Sequence, residues 1–221
     1  MSAGLFFGAV ALALGLGGAL ARRQIRRPSP SRAWWMASML GYAVAFTAEA
    51  VTVGPGQWTV GWYRAYLVAS AELVATMAVG CAYLAWRAPV ARGFAIGMAT
   101  LTAALLAWVV RAPLRVAGPW LAVDAGQHIL QGWGALLYGV TAGVGGAVVV
   151  VSCFWSAWRR RALGPAVIGA GALLSSAAGS LASQGLGLWV FPLVNLIALV
   201  LIFLGYEWSL VVRRPQVGVS A

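Results

Sequence analysis

The residues able to do chemistry are few, and most lie in apolar surroundings. In the stretch Trp58–Arg87, WTVGWYRAYLVASAELVATMAVGCAYLAWR, Arg64 lies near one end and Glu72 close to the middle. At the rise of a helix, Glu72 lies about 15 Å from Trp62 and about 21 Å from Trp86. An acidic side chain at that depth in a bilayer costs ~2.5 kcal/mol or more, so it is a functional-site candidate from the outset. A carboxyl that takes up and releases a proton there suits proton-coupled transport or gating.

Other polar groups gather in the outer halves of neighbouring apolar stretches: Glu49, Gln131 and Asn195, with Asp124 and His128 nearby. We expect Glu49, Arg64, Glu72, Gln131 and Asn195 to line an outward-facing polar cavity. Tyr63, Tyr66, Tyr138, Trp133 and Trp189 would supply its aromatic walls. Arg64 snorkelling to headgroups, or pairing with Glu49 to lock two helices, is an equally open reading. Glu207 sits near Arg213 and is expected to pair with it.

Recognisable catalytic chemistry is missing. The chain has one His, no HExxH, no Gly-Lys phosphate loop and no Asp/Glu pair at helical spacing. Cys81 and Cys153 form no CxxC or Cys/His grouping, so they read as free buried thiols. No enzyme activity, metal or cofactor is expected.

The elements that must position these residues are legible from composition. The 221 residues are 62% hydrophobic and 9% charged, with mean hydropathy +0.88. Soluble domains carry about 25% charged residues, so this is a polytopic membrane protein. The net charge of +11 comes entirely from Arg placed between apolar stretches. It therefore reads as topology and lipid-headgroup contact, and nucleic acid is not expected as a partner.

The fold expected is all-α, with seven transmembrane helices over residues 3–21, 34–53, 59–86, 93–110, 127–157, 164–182 and 188–211. Pro28 and Pro30 would stop the first helix, and Gly54-Pro55-Gly56 the second. Residues 1–214 form one transmembrane domain and 215–221 a short tail. The seven-helix arrangement puts twelve arginines on one side and Arg64, Arg111 and Arg115 on the other. By the positive-inside rule the N-terminus is outside and the C-terminus cytoplasmic. No basic residue precedes the first apolar stretch and Arg22, Arg23, Arg26 and Arg27 follow it, the reverse of a secretory signal. The twelve tryptophans fall towards the two interfaces as aromatic belts. The short-looped, Ala/Gly/Arg-rich build suits a bacterial inner (plasma) membrane.

An internal repeat runs at an offset of 131 residues: Leu5, Gly8, Ala11 and Gly15 map onto Leu136, Gly139, Ala142 and Gly146. Gly54, Gly56 and Trp58 map onto Gly185, Gly187 and Trp189 in the same register. This implies two parallel three-helix units, residues 3–86 and 127–211, joined by the helix over 93–110. The 3+1+3 layout resembles the SWEET sugar transporters and the microbial rhodopsins. The SWEET resemblance implies a substrate site flanked by an Asn in each of helices three and seven. Here Asn195 matches and Arg64 stands at the other position, and kinking prolines are missing from helices one, two, five and six. The rhodopsin resemblance extends to helical layout alone, because retinal needs a Lys in helix seven and the chain contains none.

Two functions follow from this reading. One is transport of a small solute, with Glu49, Arg64, Tyr66, Glu72, Gln131, Tyr138 and Asn195 along the pathway. The other is a non-transporting seven-helix receptor or membrane partner subunit, binding a ligand at the same cavity. The expected partners are the lipid bilayer and a small solute or ligand, and oligomerisation stays open.

Overall fold

A computed structural model describes residues 2–53, 58–114, 132–182 and 190–211. All regular structure in them is helical: α1 (Ser2–Arg26), α2 (Pro30–Val53), α3 (Val60–Ala85), α4 (Ala88–Arg111), α5 (Trp133–Arg160), α6 (Leu163–Ala182) and α7 (Val190–Val211). Five of them, α1, α3, α4, α5 and α7, are long and apolar enough to cross a membrane. The chain is therefore compatible with a multi-pass membrane protein. Helix α2 carries Arg32, Thr47, Glu49 and Thr52, and α6 is the shortest of the seven.

Helices α2 and α4 begin several residues earlier than apolar patterning alone suggests. Pro30 does not merely stop α1; it opens α2 at the first helical position, where the missing N–H costs nothing and the fixed φ helps. Pro89 does the same one residue into α4, after Arg87 as N-cap. The first helix runs on past the apolar stretch, so Arg22, Arg23 and Arg26 are helical and near its C-terminal dipole. Thr59 caps α3 by accepting a hydrogen bond from the Trp62 N–H at 3.3 Å. Helix α5 closes with the Ala162 N–H on the Ala157 carbonyl (3.2 Å) and the Arg161 N–H on Trp158 (3.4 Å). That is a Schellman closure, with Arg161 holding the left-handed position at φ 47°.

Neighbouring helices pack in a closed order: α1 on α2, α2 on α3, α3 on α5, α5 on α6, α6 on α7 and α7 back on α1. Helix α4 lies outside this ring, against α3 and α5. Helix α3 is the centre of the packing, buried from Tyr63 through Ala82 on most of its circumference. Small residues allow the closest approaches. Gly41 of α2 faces Ala69 and Leu73, Gly145 of α5 faces Val74, and Gly134 lies under the Trp108 ring.

Two tryptophans expected at the interfaces belong to the core. Trp35 is 2% exposed, lies against Gly80 and packs its ring 5.6 Å from that of Tyr206. Trp58 is covered by edge-on contacts with Tyr63 and Tyr66, both at 5.8 Å.

Candidate functional site

The site that the helices build is a central cavity of about 210 Å³ between α2, α3, α5, α6 and α7. Each helix contributes through its own periodicity. Tyr42 and Phe46 lie one turn apart on α2, with Glu49 further along the same face but outside the cavity lining, and Tyr66 and Ser70 lie one turn apart on α3. Tyr138 comes from α5, Ser175 from α6, and Phe191 and Asn195 from α7.

The polar groups are joined across helices. Ser70 Oγ and Tyr138 OH share a hydrogen bond at 3.1 Å, linking α3 to α5. Ser175 Oγ donates to Asn195 Oδ1 at 2.6 Å, and Asn195 Nδ2 donates to the Phe191 carbonyl at 2.9 Å. Tyr42 of α2 lines the same cavity as Ser175. Asn195 is 4% exposed, so its amide is held by these bonds rather than by bulk water. Glu49 is fully buried, and its carboxyl acts electrostatically on the hydroxyls of Tyr63, Tyr66 and Tyr138.

Of the residues expected to share one cavity, Tyr66, Tyr138 and Asn195 come together here. Arg64 and Glu72 do not join them. They line a separate groove between α2, α3 and α4, with Gly41, Val68 and Leu106 among the walls. Glu72 also faces an adjoining groove formed largely by α3 and α4, beside Thr76, Ala95 and Met98. It is half-buried, and its carboxyl makes no hydrogen bond or ion pair among the described residues. Gln131, with Asp124, His128 and Trp189, lies outside the described residues. Trp133 is exposed and forms no cavity wall.

Arg64 donates from Nη2 to the carbonyl of Ala112 at 3.0 Å. Ala112 is the C-cap of α4, where unsatisfied carbonyls and the negative end of the helix dipole favour a cation. The arginine thus ties α3 to the end of α4. Glu207 is likewise placed differently from the sequence expectation. Its two carboxylate oxygens accept from Arg23 Nη1 (2.6 Å) and Nη2 (2.8 Å), joining α7 to α1. Arg213 is outside the described residues.

Sequence reasoning missed Tyr42, Ser70, Ser175 and Phe191. The i+7 relation of Tyr42 to Glu49 was the available signal for one of them. Nothing in the chain pairs Ser175 with Asn195 until α6 and α7 are laid together.

A second cavity, of about 140 Å³, lies at the arginine-rich end. Its walls include Ser31, Arg32 and Trp35 of α2, Cys81 of α3, Ser152, Cys153 and Arg160 of α5, and Tyr206 of α7. No protein-family model, curated protein or solved structure matches the chain.

Proposed function

We propose that this chain is a seven-span inner-membrane transporter, N-terminus outside, that passes a small polar solute through the central cavity. The observation that carries the reading is the convergence of hydroxyl and amide groups from five helices on one space. Tyr42, Tyr66, Ser70, Tyr138, Ser175 and Asn195 all face it. Polar side chains inside apolar helices are costly unless they serve one another or a ligand, and a few convergent polar groups in an apolar cavity are the usual form of a small-molecule site.

On this reading α1–α3 and α5–α7 are the two parallel units and α4 is the connecting helix. The cavity lies between the units, as in transporters built from repeats. No charged side chain among the described residues lines it, which favours a neutral solute with hydrogen-bonding groups. Glu49, acting on three tyrosines near it, is the carboxyl best placed to couple solute to proton. Glu72 faces the α3–α4 side and serves the periphery.

Uptake of a panel of neutral radiolabelled solutes into proteoliposomes, with and without a proton gradient, tests the proposal. Asn195→Ala and Tyr138→Phe should reduce flux at least about tenfold, the effect of losing about 1.4 kcal/mol of solute contacts. Glu72→Gln should leave it within about twofold, since that group contacts no residue of the cavity network. Saturable solute binding without flux would instead support the receptor reading. Loss of flux in Glu72→Gln alone would move the pathway to the α2–α3–α4 groove.

A further inference from the structure

The only two cysteines in the chain are 72 residues apart, yet the fold brings their sulfur atoms to 4.0 Å. Cys81 comes from α3 and Cys153 from α5, and both are buried free thiols. Both face the 140 Å³ cavity at the arginine-rich end. This arrangement is separate from the central cavity and does not depend on the transport reading.

Their spacing decides what the pair suits. A disulfide holds its sulfurs about 2.05 Å apart, so at 4.0 Å the two thiols are not bonded to each other. At a metal–thiolate distance of about 2.3 Å, two sulfurs 4.0 Å apart subtend an angle of about 120° at a shared ion. That is the angle of a trigonal, three-coordinate ion, so a third, weaker ligand beside the two sulfurs completes the geometry. No group of three or more His, Cys, Asp or Glu side chains that could hold a metal ion occurs among the described residues. A closed tetrahedral zinc site therefore has too few ligands here. An all-sulfur pair selects instead soft cations content with low coordination number, of which Cu(I) is the physiological case.

The electrostatics of the cavity fit the charge such a complex would carry. Two thiols that release their protons to water and bind one monovalent cation leave one net negative charge. Arg32 and Arg160 line the same cavity, and Arg160 Nη2 reaches the Leu84 carbonyl, one turn beyond Cys81. Two guanidinium groups would stabilise an anionic bis-thiolate, while the hydroxyls of Ser152 and Ser156 offer a third, weaker position.

We propose that Cys81 and Cys153 together form a two-thiolate site for a single soft monovalent cation, Cu(I), between α3 and α5 at the arginine-rich end.

The test uses the full chain, purified in detergent, reduced and kept anaerobic, and titrated with Cu(I) against a colorimetric Cu(I) chelator. Copper K-edge absorption on the loaded protein reads the ligands directly and does not depend on any variant folding. The expected result is one Cu(I) per chain with two sulfur neighbours at about 2.3 Å. Cys81→Ser or Cys153→Ser should weaken binding about 100-fold or more, because the second thiolate acts at high effective concentration. Binding of no copper overturns the proposal, as does one sulfur per copper or a single-serine variant with unchanged affinity. Recovery of the wild-type chain from cells already cross-linked between the two cysteines would also overturn it.

Discussion

Helices α6 and α7 meet backbone to backbone, which makes Gly205→Ala the most quantitative test of the packing. A Cβ at position 205 would lie 2.6 Å from the Gly164 carbonyl oxygen, 2.7 Å from the Ile168 nitrogen and 2.8 Å from Ile168 Cγ1. Ordinary contacts begin near about 3.5 Å, so the helices must part by ~0.8 Å, and a gap of that size forfeits a quarter to a half of each dispersion contact it opens. Two of the three obstructing atoms are main chain and cannot rotate away. Gly164 and Gly171 make equally close approaches to α7 and would be drawn out of contact too. Overpacking costs about 1–3 kcal/mol, and the backbone obstruction places this case in the upper part of that range. Alanine returns ~1 kcal/mol through helix propensity, leaving a net loss of about 1–2 kcal/mol, or roughly tenfold in the unfolding constant. The control is Gly143→Ala in α5, where an added Cβ meets nothing within 4 Å and propensity alone predicts no loss. SDS-titrated unfolding in mixed micelles, followed by tryptophan fluorescence and helical circular dichroism, measures both. Wild-type stability in Gly205→Ala, or an equal loss in Gly143→Ala, would refute the argument that backbone approach holds α6 to α7.

Glu207→Gln removes the charge that meets Arg23 across α1 and α7. Because those side chains are 41% and 28% exposed, the loss should be only about 0.5–1 kcal/mol and should shrink in high salt; a larger, salt-independent loss in the same unfolding assay would contradict a partly solvated pair. Arg64→Met keeps the packed stem but deletes the bond to the Ala112 carbonyl. We expect a loss of about 1–2 kcal/mol, with faster hydrogen exchange confined to the last turn of α4, and unchanged exchange there would show that the arginine does not hold that helix end.

How much of this could be read from the chain divides along one physical line. Depth along a helix is a one-dimensional property, and apolar length reports it well. Hence seven apolar stretches in the sequence correspond to seven helices, and Arg22 to Arg27 mark a helix end. One boundary slipped where Pro30 was read only as a stop, although it starts α2; Pro89 likewise stands in the first turn of α4. Azimuth is a different matter. A helix apolar on all sides gives no directional signal, and α3, the element that carries most candidates, is of that kind.

Glu49 and Glu72 show the consequence most sharply. From depth, Glu72 at mid-span is the costly carboxyl and Glu49, one turn from a helix end, the inexpensive one. The packing reverses this, because what matters is which neighbour each side chain faces. Glu49 shares the face of α2 that carries Tyr42 and Phe46 towards the bundle interior, and is fully buried among tyrosines. Glu72 points towards α4, the one helix outside the ring, and keeps partial exposure in a groove. The same reasoning explains the cysteines. Cys81 and Cys153 meet because α3 and α5 are adjacent and both rotate that position inwards, a coincidence of two azimuths that no spacing along the chain encodes. Polar residues on an apolar helix are therefore best ranked by the helix they face. By that measure the solute site we propose lies on the inner faces of α2, α3, α5, α6 and α7.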